Sequence, residues 1–329
     1  MFDQRYISGF TLLELMVALS LGLIIVAAGL AVLLSSQRSL GLQSGMGELQ
    51  QNANFGLSLV TYDLRHTNLN TESSQRVNTV VRGSGIVFKK ENLPISSQSV
   101  SALETDLVTL ESKDDDNTTG KSDRLTIQYT PQTSRIINCE GTEVTNASNK
   151  VIVQRYYLAR SPQQIAGEPI AYSLYCDAGE YPKSGATAVL GLGTQAQQIM
   201  QRVDAFKVRL GVKKRNDPTN ANPKLHYKFR YMTINEYLAA MANIRAACAA
   251  PITEDECSKN YLQVLSIDVG ILSRSTGSIG TEANLNTQTT FNLAGTNVTL
   301  SGDETLNKKY LRQAVSQVVA IRNTLGATP

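Results

Sequence analysis

From Phe10 to Leu34 the chain runs through 25 residues, of which Glu14 is the only charged one. No other stretch restricts the fold so severely. At a rise of about 1.5 Å per residue, such a run makes a helix about 37 Å long, enough to cross a hydrocarbon core of about 30 Å. A carboxylate inside that core costs about 2–3 kcal/mol at its centre and less near the end, so intramembrane charges are usually paired. The nearest cations in sequence, Arg5 and Arg38, lie beyond helical reach of Glu14 on this segment. The partner has to come from elsewhere, and a free α-amine released by cleavage between Gly9 and Phe10 is one candidate. An ordinary secretory signal fits poorly. Its apolar core spans about 7–15 residues and its small cleavage residue follows that core, whereas Gly9 precedes it.

Beyond the apolar run the chain reads as a soluble body. Hydrophobic residues make up 42% of the 329 residues, and the formal charge of +3 survives loss of Asp3 and Arg5 with a leader. That charge is too mild to imply nucleic acid by itself. Four cysteines, Cys139, Cys176, Cys248 and Cys257, all follow the apolar run, none in a C-x-x-C spacing, and His66 and His226 are the only histidines. Zinc ligation is therefore poorly supported. An even count in an exported domain reads as two disulfides, for which three pairings are open. The local pairs Cys139–Cys176 and Cys248–Cys257 are favoured, each stapling a loop-rich region.

The segment GFTLLELMVALSLGL resembles the type IV prepilin processing and methylation motif, with Gly9 ending a leader, Phe10 beginning the mature chain and Glu14 four residues after it. The leader departs from the family's pattern in carrying Arg5 as its lone cation. The resemblance implies that a prepilin peptidase cuts after Gly9 and methylates the new amine of Phe10. It also implies that Glu14 pairs with the Phe10 amine of a neighbouring subunit during assembly, as a register key rather than a catalytic acid. No cofactor is implied. The domains expected are a leader over 1–9, a long helix over 10–66 with its membrane half at 10–34, and a periplasmic or extracellular head over 67–329.

After Leu34 the helix can continue, with Leu49, Phe55, Leu59, Tyr62 and His66 recurring at helical spacing as a face laid on the head. Gly41, Gly45, Gly47 and Gly56 each weaken a helix by about 1 kcal/mol relative to Ala, so the stretch Gly41–Gly47 is expected either to loosen or to admit close packing. From Thr67 onward the pattern changes to strands. DRLTIQYT places Leu125, Ile127 and Tyr129 on one face, RVDAFKVRLGV places Phe206, Val208, Leu210 and Val212 opposite Lys207 and Arg209, and YLQVLSIDVGILSRS alternates Leu265, Ile267, Val269 and Ile271 with Ser266 and Asp268. VIVQRYYLA and IAYSLYC are further strands. The fold class expected is α+β: a pilin-like long helix against a mostly antiparallel sheet, wet on one face, with long loop insertions. Three polar stretches, ESKDDDNTTGKSD, KKRNDPTNANPK and the long run from Ser275 to Lys309, read as loops.

The order of these segments, closing on YLRQAVSQVVAIRN, is similar to that of the PilW-type minor pilins; the J-type pseudopilins of type II secretion share the plan in a generally shorter chain. Membership of the former implies a subunit that primes the pilus and sits at or near its tip, supporting motility, adhesion or DNA uptake. Implied partners are the prepilin peptidase, other minor pilins, the major pilin, the inner-membrane assembly platform and a large tip adhesin. The implied location is the bacterial inner membrane with a periplasmic head, then the pilus surface.

Other constellations weigh less. Asp114 and Asp116 offer hard oxygens for calcium, but adjacent acids without the spacing of a calcium loop read more simply as a solvated tip. Gly120-Lys121-Ser122 lacks the earlier glycine of a phosphate loop, where Asp115 stands, and reads as a turn. Eight basic residues lie between Lys207 and Arg230, opposed only by Asp217. Of these, Lys213, Lys214, Arg215, Lys224, Lys228 and Arg230 would share a surface on a hairpin, fit for DNA backbone or an acidic partner, or else an ordinary solvated face. Tyr227, Phe229 and Tyr231 interleave with them, and their period of two also suits a core. No G-x-S-x-G elbow or His-based nucleophile pair is present. A membrane-tethered enzyme would leave Gly9, Phe10 and Glu14 without a purpose.

Overall fold

The computed structural model describes residues 9, 11–71, 76–94, 107–215, 227–248, 253, 257–278, 288–322 and 324, apart from the side chains of Arg215 and Leu306. One helix dominates it. Helix α1, Leu12–Leu64, is a single run of 53 residues, capped at its start by Thr11 and about 80 Å long. It passes unbroken through Gly41, Gly45 and Gly47, around which a side chain would meet nothing closer than Leu311 Cδ1, 4.0 Å from Gly45. Neither loosening nor close packing occurs there within the single chain. Close packing falls instead at Gly56, where an added Cβ would stand 2.5 Å from Met200 Sδ.

The head consists of two antiparallel sheets. The first has the order β1-β2-β5-β6-β7, built from Leu110–Asp114, Ser122–Tyr129, Lys150–Arg160, Tyr172–Pro182 and Gln197–Gln201. The second has the order β13-β10-β8-β9, built from Arg312–Ala320, Gln263–Arg274, Val203–Arg215 and Tyr227–Thr233. Two hairpins flank them, β3 Arg135–Ile137 with β4 Glu143–Thr145, and β11 Thr290–Leu293 with β12 Thr296–Thr299. Helix α2, Ile234–Ala246, leaves β9 directly, and a short α3 covers Glu304–Asn307. The single sheet expected is thus two, and only Arg202 separates β7 from β8. Its backbone turns through φ 56°, a left-handed conformation that costs a non-glycine residue about 1–2 kcal/mol. Ion pairing of its guanidinium with Glu168 at 2.5 Å helps to hold the corner.

The core fills the space between α1 and both sheets. Ala53, Leu57, Val60 and Leu64 of α1 bury against Leu125, Ile127, Tyr156, Met200, Phe206, Val208, Ile267 and Val269. The stripe that faces the head is therefore Leu49, Ala53, Gly56, Leu57, Val60 and Leu64, whereas Phe55 and Tyr62 are more than 60% exposed. This corrects the face read from the sequence: of the five residues expected there, Leu49 alone is fully buried. Leu265 is displaced as well. A register shift between Val264 and Ser266 turns Val264 inward and leaves Leu265 half-buried.

The first sheet lacks the open wet face expected. Every residue of β2 is buried, because the segment 76–94 lies over the polar side of the first sheet. A loop in that position brings unpaired backbone groups, which need partners when buried. Gln128 Nε2 donates to the carbonyls of Ser84 and Asn92 at 2.7 and 2.9 Å, and its Oε1 accepts from Tyr181 Oη at 2.5 Å. Asn92 Nδ2 in turn donates to the carbonyls of Asn78 and Val81. On the second sheet, the β11–β12 hairpin seats Phe291, Leu293 and Val298 on Ala205 and Leu272. Its two turn residues, Ala294 and Gly295, both have positive φ, the geometry that joins strands with matching twist. At Gly270 an added Cβ would come within 2.7 Å of Ala294 N, so the hairpin rests directly on backbone.

Buried charges tie the two sheets together. Lys207, expected in solvent, is buried and pairs with Asp123 of β2 at 3.0 Å. Asp123 also accepts from the backbone N–H groups of Ser112 and Val208. Asp204 gathers Arg312 at 2.6 Å, Arg274 at 3.5 Å and Asn117 at 2.7 Å, joining β8, β10 and β13 to the turn before β2. Two disulfides complete the frame, Cys139–Cys176 with a Cα–Cα distance of 6.0 Å and Cys248–Cys257 with 5.8 Å. In the chain-entropy picture, loops of those lengths contribute about 4 and about 3 kcal/mol. Removing the Lys207 ammonium strands a buried carboxylate, so Lys207→Met should lower stability by about 3–5 kcal/mol, or about 10 °C in Tm. Thermal unfolding of the detergent-solubilised protein measures it, and a shift under about 2 °C would contradict the assignment.

Candidate functional site

The first site is the start of α1. Thr11 is the N-cap and Glu14 occupies the third helical position, which completes a reciprocal capping box. Thr11 N–H and Oγ–H both donate to Glu14 Oε2, at 2.9 and 3.0 Å, and Glu14 N–H donates to Thr11 Oγ at 3.2 Å. In the single chain, then, the lone carboxylate of the apolar run has hydrogen-bond donors from Thr11, and among the described residues no cation is placed against it. Thr11 was not singled out from the sequence, although T-x-x-E before an apolar run is a readable capping signal. Gly9 is exposed; Phe10 lies outside the described residues.

The helix that follows has two environments. Its first half exposes Leu12, Leu13, Leu23, Ile25 and Val32 alike, all above 65%, with no apolar face turned to the head. An 18-residue window of α1 reaches a mean hydropathy of 2.8, enough to cross a membrane. The second half is fastened to the head near its end. Tyr156 Oη donates to Asp63 Oδ2 at 2.7 Å, and the His66 ring lies 5.1 Å from Tyr62 and 5.4 Å from Tyr129. Burial pushes the Asp63 carboxyl up from its usual range, opposed by the Tyr156 hydrogen bond and by His66. Burial and the neighbouring Asp63 likewise push the Tyr156 hydroxyl up, keeping it a donor.

The acidic residues proposed for calcium are taken by protein donors. Asp114 pairs with Arg124 at 2.5 Å in a buried setting. Asp116 accepts from Thr118 N, Thr118 Oγ and Ser122 Oγ at 2.7–2.9 Å. Asp114 ends strand β1, so the reading of a solvated tip is corrected for it too. The KKRNDPTNANPK stretch is also partly strand: 213–215 belong to β8, while 216–226, with Lys224, lie outside the described residues.

The basic hairpin does not present one surface. Lys214 stands opposite Lys228 and Val212 opposite Arg230, while Lys213 stands opposite Phe229, Gly211 opposite Tyr231 and Arg215 opposite Tyr227. Alternation then places Lys214, Lys228 and Arg230 on one side and Lys213 with the aromatic residues on the other. Tyr227 is half-buried, and Phe229 and Tyr231 are exposed at 65% and 46%, so the core reading of these rings is corrected. Lys213 Nζ lies 3.7 Å from the centre of the Tyr227 ring, and burial lowers the pKa of its ammonium. Among the described residues no group of three His, Cys, Asp or Glu side chains is placed to hold a metal.

Comparison with known proteins adds three findings. Residues 155–323 match the profile of the family described as Type IV Pilus-assembly protein W, and residues 4–30 match the prokaryotic N-terminal methylation motif. A type IV-like pilin from Thermus thermophilus is similar over 84% of this chain and 98% of its own, with 11% identity and a TM-score of 0.30. No curated protein matches the chain.

The Asp63 joint gives a pH prediction. A carboxyl whose folded pKa is raised contributes stability that is present below its unfolded value, 3.8, and is lost as pH rises through the folded one. Asp63→Asn keeps an acceptor for Tyr156 and cannot ionise. It should be more stable than the wild type at neutral pH, with a flatter stability curve from about pH 4 upward. Denaturant midpoints across that range decide it; parallel curves would show that Asp63 ionises freely in the folded state.

Proposed function

This chain belongs to the Type IV Pilus-assembly protein W family, and from that premise we propose that it is a minor pilin that primes pilus assembly and enters the filament at or near its tip. The methylation motif and the apolar half of α1 mark it as anchored in the inner membrane before it becomes part of the pilus. Nothing in this reading calls for catalysis or a cofactor.

The observation that carries the proposal is the position of Glu14, a lone carboxylate at the third helical residue of an otherwise apolar membrane segment. In the reading proposed, 1–9 is a leader, 10–66 the spine and 67–329 the head. Prepilin peptidase cuts after Gly9 and methylates Phe10. The new α-ammonium belongs to the residue before Thr11, at the same end of the helix as Glu14. In the low-dielectric interior of a helix bundle, an ammonium from a neighbouring subunit attracts Glu14 far more strongly than in water. Thr11 holds the carboxylate until that partner arrives, and the pairing fixes how far one helix stands above the next. Support for a role beyond the membrane comes from the head, which is braced by two disulfides and buried ion pairs and offers surfaces for other minor pilins, the major pilin or a tip adhesin.

The second reading is a minor pseudopilin of a type II secretion filament, which would share the leader, the helix and Glu14. Deletion separates the two, since loss of a pilus subunit abolishes pili and loss of a pseudopilin blocks export with pili intact. Processing itself is tested by intact mass and N-terminal sequencing of the membrane-extracted protein beside Gly9→Val. The expected result is a methylated Phe10 start in the wild type and an uncut chain in the variant. Cleavage after the apolar run, or none in either protein, would overturn the proposal.

A further inference from the structure

Strand β9 is an edge. Among the described residues it pairs with β8 alone, in the order β13-β10-β8-β9, and Lys228, Phe229, Arg230 and Tyr231 are four consecutive exposed residues. Alternate residues point to opposite faces, so four in a row can be exposed only where both faces of the ladder stand clear of the body. The β11–β12 hairpin covers the same sheet at Ala205, Gly270 and Leu272 and stops at Arg209, whose Nη1 donates to the carbonyl of Ala294 at 3.2 Å. Beyond that point Phe229 and Tyr231 are exposed, and their rings lie on the outer face. Tyr231 lies over Gly211, where an added Cβ would stand 3.3 Å from its Cε1, so its ring is set in place. On the other face Lys228 and Arg230 form no ion pair among the described residues. An exposed edge presents unpaired backbone groups that template a further strand.

From this we infer that β9 is a docking edge for an extended segment of another protein, added as a fifth strand and alternating acidic with apolar residues. The acidic residues would face Lys228 and Arg230, and the apolar ones would pack beside Phe229 and Tyr231. Charge selects the occupant. A second copy of this chain is a poor one, because pairing two β9 strands about Phe229 sets Lys228 opposite Arg230 in the antiparallel sense and like beside like in the parallel sense, and like charges directly opposite are destabilising. A single-stranded nucleic acid could use cations and rings together, but here the rings and two of the cations lie on opposite faces of the ladder, so one strand cannot meet both. An added β-strand meets both by its own alternation. The inference does not depend on whether the filament is a pilus or a secretion filament.

The test uses the full chain in detergent with three fluorescent probes: a nine-residue peptide of alternating Glu and Val, the same peptide with Lys for Glu, and a ten-nucleotide thymidine strand. The Glu/Val peptide should bind at least about tenfold more tightly than the Lys/Val peptide, and it should slow hydrogen exchange at the backbone amides of 228–231. In Lys228→Glu/Arg230→Glu the preference should reverse, with the far-UV spectrum and Tm unchanged, which separates loss of the edge from loss of the fold. Phe229→Ser should weaken the Glu/Val peptide alone. Equal binding of the two peptides, binding without protection of 228–231, or tight binding of the oligonucleotide where the Glu/Val peptide fails would each overturn the inference.

Discussion

The structure depends on one helix that has to satisfy two solvents. For its first half the surroundings are apolar all round, so every side chain from Leu12 to Leu34 except Glu14 can be uncharged and no face need differ from another. For its second half the surroundings are water on one side and protein on the other, so only a stripe may be apolar. The changeover happens without a break in α1, and backbone hydrogen bonding is thereby satisfied within the helix in both environments. What the head does follows from where that stripe lies. Ala53, Leu57, Val60 and Leu64 reach residues of both sheets, and Gly56 lets Met200 of β7 approach closely. The sheets meet beside the helix through a single residue, Arg202, and buried charges such as Asp123–Lys207 bind one to the other.

Much of this was legible in the sequence because side-chain alternation reports burial. Phe206, Val208, Leu210 and Val212 all lie in the core as their period of two requires. The long helix and its antiparallel sheets follow from the same patterns. The side of α1 that packs was not legible, for a definite reason. Residues 49–64 contain two apolar stripes: Leu49, Ala53, Gly56, Leu57, Val60 and Leu64 in one, and Phe55, Leu59 and Tyr62 in the other. Hydrophobicity favours the second because it holds the larger side chains. Packing chose the first, because small residues permit the sheets to come near.

Polar residues hid the rest. Gln128 and Lys207 read as the solvent face of their strands, yet each is buried, satisfied by loop carbonyls or by Asp123. An alternation pattern cannot distinguish a polar residue facing water from one facing a covering loop. The hairpin basic residues were misread in the complementary way: nearness in sequence suggested one patch, and the strand register divides them between two faces. At the membrane end Glu14 was legible as an anomaly, and its local partner Thr11 was legible only as a capping signal, which attention to charge passes over. The capping box explains how the carboxylate can wait inside an apolar segment, and in the function proposed a neighbouring subunit supplies its counter-charge.

The central claim is that Glu14 exchanges its own Thr11 for the amine of a neighbour and so admits the subunit to a filament. Quantitative mass spectrometry of sheared filaments and of the membrane fraction, for wild type beside Glu14→Gln, tests it most directly. Glutamine preserves the capping hydrogen bonds and removes the charge. The account predicts that the variant is processed to the same Phe10 start and accumulates in the membrane, but falls at least about tenfold in filaments, a loss of about 1.4 kcal/mol or more of assembly free energy. Incorporation at the wild-type level would contradict the account, leaving the carboxylate as a helix cap and nothing more.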